Sequence, residues 1–404
     1  MSSRQLKFGY YSLEAATSFA ATFYLNYIFF LTQRGFQFSD RDNLLLTALH
    51  GGVYTLSSWL GGKFIQRVGC FTALKLGYAG MAIGLALGLV IPGVAGVLIA
   101  LAAWTIPLCL IWPSLETLVT EGEDFAGTAR CVGIYNVVWS GANAVAFCMG
   151  GWMWEAFGQR GLYGIPFALM LAQLGFTLWL EAQSKRQPPR EAKVRPREPH
   201  HPEAAAYQQK VPPRRLLQMA WLANPFAYVA MNTVSAVIPH LADRFQLTAS
   251  QTGLFCSLWF YARFASFIAL WQWTGWHYRF RWLVTAFVAL IVSFATMLLA
   301  RELWLVIAAQ LALGLSVGLM YYSSLFYSMD AGGDAKGEHG GFHEAMIGAG
   351  ICGGPLIGAT ALSLAPRSPN AGVYAVAVLL TIGFGGLFCL RLRANPAQNR
   401  TERT

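Results

Sequence analysis

Charged residues are scarce in this sequence. Asp, Glu, Lys and Arg together make up 12% of its 404 residues, while hydrophobic residues make up 55%. Ordinary soluble domains are about a quarter charged. Segments of about ten residues with alternating hydrophobicity, which a membrane β-barrel requires, are absent. The composition is therefore that of an α-helical membrane protein.

Cysteine motifs and nucleotide-binding motifs are missing as well. The seven cysteines are scattered and form no C-x-x-C pair or Cys/His spacing of the kind that binds zinc. No G-x-x-x-x-G-K-[ST] loop occurs, so we do not expect ATP hydrolysis by this chain. An enzyme embedded in a membrane would need a metal or a nucleophile cluster, and the sequence offers neither. We therefore predict no metal site, no cofactor and no enzymatic activity.

The sequence does contain a series of helix-length apolar runs. Crossing the ~30 Å hydrocarbon core takes about 20 apolar residues. Twelve such runs are predicted, at 8–31, 43–62, 73–91, 94–119, 129–156, 160–181, 214–240, 252–275, 281–299, 303–328, 342–364 and 371–391. The first lacks the small-residue cleavage site of a signal peptide, so we expect it to remain as a helix. The predicted fold class is an all-α membrane protein with twelve transmembrane helices.

Positive charges are unevenly distributed around these runs. With the N-terminus inside, 22 of the 29 Lys and Arg residues face the cytoplasm, counting those at the inner ends of runs, six lie outside and Arg263 alone lies deep within a run. This asymmetry follows the positive-inside rule, and it accounts for the net charge of +10 without a nucleic-acid partner. Both termini are predicted to be cytoplasmic. Short outer loops without glycosylation sites favour a bacterial inner membrane.

A Pro-rich, charged segment divides the chain into two halves, 1–182 and 214–404. The segment, 183–213, has too little apolar content to fold alone and is predicted to be a cytoplasmic linker; binding of its basic residues to anionic lipid is an additional possibility. The halves resemble each other at an offset near 210 residues: QFSDRDNLLLTALHGGVY aligns with QLTASQTGLFCSLWFYAR, and GANAVAFCMGGW with GAGICGGPLIGA. Such a duplication predicts a substrate site between two six-helix halves, near the membrane midplane.

The loop after the second run carries a partial family motif. In GGKFIQRVGCFTALKLG, Gly62, Arg67 and Gly69 match the pattern G-x-x-x-D-R-x-G-R-[RK], whereas Gln66 replaces the Asp and the final basic pair is absent. With its twelve runs and long basic central loop, the sequence resembles the major facilitator superfamily. The resemblance implies two six-helix halves that work by alternating access, with Gly62, Arg67 and Gly69 in a gating loop.

The first run contains an acid, Glu14. It lies about six residues into the run, or roughly 9 Å along a helix axis, which is too deep for so short a side chain to reach the surface. A charge at this depth costs ~2.5 kcal/mol or more unless it is protonated or paired, so such groups are usually functional. We predict that Glu14 couples protons to transport or contacts the substrate; a structural hydrogen bond to a neighbouring helix is the alternative.

Arg263 and His50 are also predicted to lie deep in the membrane, at similar depths in repeat-equivalent helices. A guanidinium cannot be neutralised, so Arg263 needs Glu14, cavity water or an anionic substrate group as its partner. Recognition of a substrate anion and structural pairing with Glu14 are both open. His50 is predicted to relay protons, although a single hydroxyl would satisfy a neutral imidazole.

Further candidates are polar and aromatic residues of the central helices and of the inner helix ends. Predicted substrate contacts besides Arg263 are Asn26, Tyr24, Tyr54, Trp139, Tyr321 and Tyr322. Predicted gating residues besides the loop motif are Asn224, Pro225, Glu116, Arg130, His343 and Glu344. Proline is expected to break the seventh helix, and the four charged or titratable residues are expected to form an inner gate. Ordinary packing, a simple kink and solvated helix ends are the alternatives.

These observations predict a secondary active transporter. It would move a small organic, possibly anionic, solute by alternating access, with protons as the coupling ion. Its partners would be the solute, protons and the lipid bilayer, and it is expected to be a monomer. An uncoupled facilitator or exporter, and a transport-inactive sensor or assembly partner, are the alternatives.

Overall fold

The computed structural model describes residues 3–187, 211–331 and 336–392, without the side chains of 125–126 and 329–342. Throughout the described ranges the regular structure is helical, and the predicted all-α fold class is confirmed. Most of the predicted linker and the end of the chain after residue 392 lie outside the described residues.

The first part of the chain forms five long elements. Their bounds are α1 (Ser3–Phe36), α2 (Asp40–Val68), α3 (Cys70–Val90), α4 (Gly93–Thr120) and α5 (Phe125–Ser184). Within α5, Gly158 has φ 54° and ψ −145°, a conformation that favours glycine and lies outside the helical region. The predicted runs 129–156 and 160–181 lie on either side of this residue.

Among the described residues, the second part of the chain forms seven helices. Its elements are α6 (Pro213–Arg244), α7 (Ala249–Cys256), α8 (Leu258–Gln272), α9 (Phe280–Leu299), α10 (Leu303–Ala331), α11 (Lys336–Leu364) and α12 (Ala371–Leu392). Ser257 alone separates α7 from α8, and the two together form one apolar segment of 24 residues. The predicted run 252–275 continues too far, because helical hydrogen bonding ends at Gln272.

Eight segments of the described chain are long and apolar enough to cross a membrane. They lie in α3, α4, α5, α7 with α8, α9, α10, α11 and α12. The segments α1, α2 and α6 are not among them. Their sequences include buried polar residues such as Glu14, His50 and Asn224, which lower the hydropathy of each helix. The number of crossings therefore stays a prediction.

The turns that precede α2 and α7 have the same local geometry. Gln37 and Gln246 both have a left-handed backbone, with φ 59° and 54°. Two residues later in each turn, Ser39 and Thr248 begin the next helix with a capping box, in which side chain and backbone at the helix start bond reciprocally. These positions are paired in the alignment of the two halves, so equivalent residues form equivalent turns.

Two helix pairs join the first part of the chain to the second: α2 packs along α11, and α5 packs along α7 and α8. Glycine permits the closest approach in the first pair. A Cβ atom built on Gly51 would collide with the backbone of Ile351 and Cys352, whereas one built on Gly52 would lie 3.9 Å from the Cys352 Sγ atom, an ordinary contact. Both α2 and α11 border the region between the two parts of the chain. Their close packing therefore positions the residues that each helix places there.

Gly51→Ala is expected to destabilise the protein by roughly 1–3 kcal/mol, since the added methyl group must push two helix backbones apart. Gly52→Ala is the matched control: it makes the same change in helix propensity, one residue later, without the collision. Thermal unfolding of the purified variants in detergent measures the difference. Equal midpoints for the two variants would contradict the close packing of α2 on α11.

Candidate functional site

A cavity of about 200 Å³ lies between the two parts of the chain. Its walls come from α1, α2, α4 and α5 on one side and from α6, α8, α10 and α11 on the other. The wall includes Glu14, His50 and Arg263, which the sequence had singled out for their depth. The polar residues that are costly to bury in apolar helices therefore lie together at this cavity.

Glu14 is held in this cavity by two hydroxyl groups. Its side chain is only 1% exposed. The Ser18 hydroxyl, one turn later in α1, donates to Glu14 Oε1 at 2.7 Å, and the Tyr135 hydroxyl of α5 donates to Oε2 at 2.7 Å. The two bonds orient the carboxyl group without supplying an opposite charge. Gain or loss of a proton at Glu14 would therefore change the net charge of the cavity.

Arg263 is buried among aromatic rings rather than beside an acid. Its side chain is 4% exposed, and its guanidinium carbon lies 4.7 Å from the ring centroid of Trp139 and 5.3 Å from those of Trp259 and Phe260. Such cation–π contacts stabilise a desolvated cation by about 2 kcal/mol. Nη1 also approaches the Met231 sulfur atom at 3.5 Å. Electron-rich rings and a sulfur atom therefore surround the charge of Arg263, but these contacts include no counter-ion.

The amide side chain of Asn143 also contacts Arg263. With the amide of Asn143 oriented to suit its neighbours, its oxygen accepts from Arg263 Nη2 at 3.1 Å, and its nitrogen donates to Thr22 Oγ1 at 2.8 Å and to the Ser18 carbonyl at 3.0 Å. The amide therefore connects α1, α5 and α8.

The predicted alternative of a Glu14–Arg263 ion pair is wrong. Within the described ranges no carboxylate oxygen lies within 4.0 Å of the Arg263 guanidinium, and its Nε atom has no hydrogen-bond partner. Both groups line the same cavity, but each is held by neutral partners. Arg263 is left able to bind a group that enters the cavity.

His50 and Tyr54 occupy successive turns of α2 on the cavity wall. The His50 Nδ1 atom lies 2.8 Å from the Thr105 hydroxyl, so a single hydroxyl contacts the imidazole, as the structural alternative had required. The Tyr54 hydroxyl donates to Glu344 of α11 over 2.5 Å, a bond that crosses between the two parts of the chain. This bond connects the cavity to the packed pair of α2 and α11.

The cavity contains more acids than the sequence alone suggested. Glu116 and Glu344, predicted as gating residues, line it together with Glu14, and the three carboxyl groups are close enough to interact electrostatically. The predicted gate is not assembled, because Arg130 is exposed and Glu344 bonds to Tyr54 instead. Like charges this close repel one another, so the cluster favours at least one protonated carboxyl group or a bound cation.

The predicted substrate contacts fall into two groups. Asn26, Tyr54, Trp139 and Tyr321 line the cavity. Tyr24 and Tyr322 do not. Tyr24 is fully buried on another face of α1, with its ring centroid 5.0 Å from Trp104 and 5.7 Å from Tyr163, and Tyr322 packs on Phe267 and Trp276. These two residues contribute to helix packing and not to the cavity wall, contrary to the prediction.

The remaining gating candidates do not line the cavity. Gly69 joins α2 to α3 with φ 81°, which explains glycine at that motif position, and Arg67 is exposed nearby while Gly62 is half-buried within α2. His343 contacts Ser324, with Nδ1 3.4 Å from its hydroxyl.

The expected break of the helix at Asn224 and Pro225 is wrong. The helix α6 continues from Pro213 to Arg244 through both residues. The Pro225 carbonyl faces Gly350 of α11, where an added Cβ would collide with it. The Asn224 amide is 1% exposed, and neither of its polar atoms has a partner among the described residues.

Polar contacts also join the two parts at the end of the bundle that carries the α1–α2 and α6–α7 turns. The Gln33 amide donates to Asp243 Oδ2 at 2.9 Å, and the backbone N–H of Ser250 donates to Glu155 Oε1 at 2.9 Å. They hold α1 against α6 and α5 against α7. In this conformation the two parts are in contact at that end.

Solved structures with this arrangement exist, although no protein-family model matches the sequence and no curated protein matches it significantly. A bacterial homologue of the human drug peptide transporters PepT1 and PepT2 matches with a TM-score of 0.70 and 15% identity, over 98% of this chain and 100% of its own. A structure from a study of proton-dependent oligopeptide transporters gives 0.67 and 16%, over 98% and 100%, and the nucleoside transporter NupG gives 0.68 and 13%, over 95% and 99%. This chain has the major facilitator fold. The matching structures are those of transporters and not of enzymes.

Several cavity residues were not foreseen from the sequence. Asn143 was considered only as part of the repeat match GANAVAFCMGGW, and Tyr135 and Tyr228 were not singled out. The signal for Asn143 was available, since an amide within an apolar helix needs a polar partner. Tyrosines gave no such signal, because they serve equally in packing.

A double-mutant cycle tests the absence of a Glu14–Arg263 pair. Because Glu14 and Arg263 are linked only indirectly, through Ser18 and Asn143, the double variant Glu14→Gln/Arg263→Ala is expected to be no more stable than Arg263→Ala alone. Thermal or denaturant unfolding in detergent provides the values. Rescue of a poorly stable Arg263→Ala variant by the second change would instead demonstrate a direct ion pair.

Proposed function

We propose that this protein is a proton-coupled secondary active transporter that moves a small anionic organic solute across the membrane by alternating access. The observation that carries the proposal is the cavity between the two parts of the chain, where a buried acid and a buried cation are present without pairing with each other. Unpaired ionisable groups inside a membrane bundle are costly, and they are kept where an ion or a substrate uses them.

Arg263 is the proposed recognition group for the anion. The guanidinium fork suits a carboxylate or phosphate, and the unpartnered Nε atom leaves one donor free for it. Trp139, Tyr321 and Tyr228 line the space near Arg263 and would contact the apolar body of the solute. Binding there would compensate a positive charge that the protein itself leaves without a counter-ion.

Glu14 is the proposed proton carrier. Its carboxyl group accepts hydrogen bonds from the neutral side chains of Ser18 and Tyr135, so a proton added to it removes a buried negative charge without breaking an ion pair. The three-carboxyl cluster makes this uptake sensitive to what else occupies the cavity, because each acid is affected by the charges of the other two. Proton and solute occupancy would therefore be linked within one site.

The architecture that accompanies this function is twelve transmembrane helices in two six-helix halves, 1–182 and 214–404, joined by a cytoplasmic linker. The transition between inward-facing and outward-facing states would occur by movement of one half against the other. The distribution of Lys and Arg supports cytoplasmic termini in a bacterial inner membrane. We take the monomer as the working unit.

The similar solved structures support this class of function. One comes from work on proton-dependent oligopeptide transporters and another is the nucleoside transporter NupG. At 13–16% identity they do not transfer a substrate to this chain. Together with the charged groups of the cavity, they favour a gradient-driven transporter.

Glu14→Gln tests the proposed coupling, because it keeps the shape and hydrogen bonding of the side chain while removing its titration. A thermal-shift screen of metabolite pools first identifies a solute that stabilises the purified protein. In proteoliposomes with an imposed proton gradient, the variant is expected to lose accumulation of that solute against its gradient while retaining solute exchange. Glu302→Gln, on an exposed loop, is the control and is expected to accumulate solute normally. Accumulation by Glu14→Gln at the parent level would exclude Glu14 as the coupling group.

A further inference from the structure

The charges that line the cavity are unequal in number. Within the described ranges its wall contains three carboxyl groups, those of Glu14, Glu116 and Glu344, and one guanidinium, that of Arg263. Even with one carboxyl group protonated in a transport cycle, two remain against a single cation. A solute with only an anionic group would add to this excess in a desolvated site, where unbalanced charge is costly.

Glu116 differs from the other two acids in its contacts. Glu14 accepts hydrogen bonds from Ser18 and Tyr135, and Glu344 accepts one from Tyr54. No residue of the described chain donates a hydrogen bond to the Glu116 carboxyl group, and the charges that act on it are those of Glu344 and Glu14, which repel it. Glu116 is half-buried on the cavity wall, so its carboxyl group is left for a group that enters the cavity.

Arg263 has the complementary deficiency. It is 4% exposed, its Nε atom has no hydrogen-bond partner, and no carboxylate of the described chain lies within 4.0 Å of it. Tyr321 lies within electrostatic range of both Arg263 and Glu116, so the two groups border the same aromatic space. Arg263 belongs to α8 and Glu116 to α4, one from each part of the chain.

We propose that the transported solute is amphoteric: it has an anionic group that binds Arg263 and an ammonium or other cationic group that binds Glu116. This inference rests on the proposed function and adds the cationic group to it. One solute satisfies both deficient groups and leaves the net charge of the cavity unchanged. Because its two ends bind different parts of the chain, it also links the two halves when it is bound.

Matched probes test the proposal directly. Phenylalanine and glycylphenylalanine are each compared with their N-acetylated form, which keeps only the anion, and with their carboxamide form, which keeps only the cation. Binding to the purified protein is measured by calorimetry at neutral pH. At least one free zwitterion is expected to bind about tenfold or more tightly than both of its blocked forms, since each blocked form loses one charged hydrogen bond.

Glu116→Gln assigns the cationic end. In this variant the preference for the zwitterion over the N-acetylated form is expected to fall about tenfold, whereas Glu121→Gln, on an exposed position five residues later, retains it. Comparing two probes within each variant cancels the extra bulk of the acetyl group. Thermal unfolding of each variant confirms that it is folded, and the wild-type comparison stands without any variant.

The outcomes separate this proposal from the transport function. Equal or tighter binding of the N-acetylated probes overturns the amphoteric solute but leaves an anion transporter in place. Equal or tighter binding of the carboxamides overturns both the amphoteric solute and recognition by Arg263. Absence of binding by all six probes also overturns the proposal, while the accumulation assay with Glu14→Gln still decides proton coupling on its own.

Discussion

The burial of Arg263 without an acidic partner is the constraint on which the rest of the site depends. A guanidinium keeps its charge at any physiological pH, so it cannot escape the membrane interior by losing a proton. The protein supplies three aromatic rings, one amide oxygen and one sulfur atom around it, which together reduce the cost of desolvation without neutralising the charge. The remaining need can be met only from the cavity. Polar residues of α1, α2 and α6, among them Glu14, His50 and Asn232, line this cavity.

The same residues lie on the helix pairs that join the two parts of the chain. Arg263 contacts Trp139 and Asn143 where α8 meets α5, and Tyr54 bonds to Glu344 where α2 meets α11. A proton or solute that binds in the cavity would thus act at the surfaces along which the halves must move. In a transporter that alternates between two states, this placement gives ligand binding a direct effect on the equilibrium between them.

The positions of the helices could be predicted from the sequence, whereas the side of each helix that faces the cavity could not. Apolar runs predicted the helices, and buried ionisable residues indicated Glu14, His50 and Arg263, because few physical explanations exist for such groups in lipid. Tyr24 was misassigned because α1 is buried nearly all round, so that no exposed stripe shows which face meets the cavity. Glu116 and Glu344 were predicted as inner-gate residues. Their place in the cavity depends on how α4 and α11 pack, which the order of residues does not reveal.

The affinity of Arg263→Lys for the solute tests whether this guanidinium binds the anionic group. Lysine keeps the positive charge but loses the planar fork, so binding is expected to weaken by roughly 1–3 kcal/mol while the unfolding midpoint changes little. Arg301→Lys, on an exposed loop, makes the same chemical change outside the cavity and should leave the affinity as it is. Unchanged solute affinity in Arg263→Lys would exclude Arg263 as the recognition group, because replacing a guanidinium that binds the solute must change the affinity.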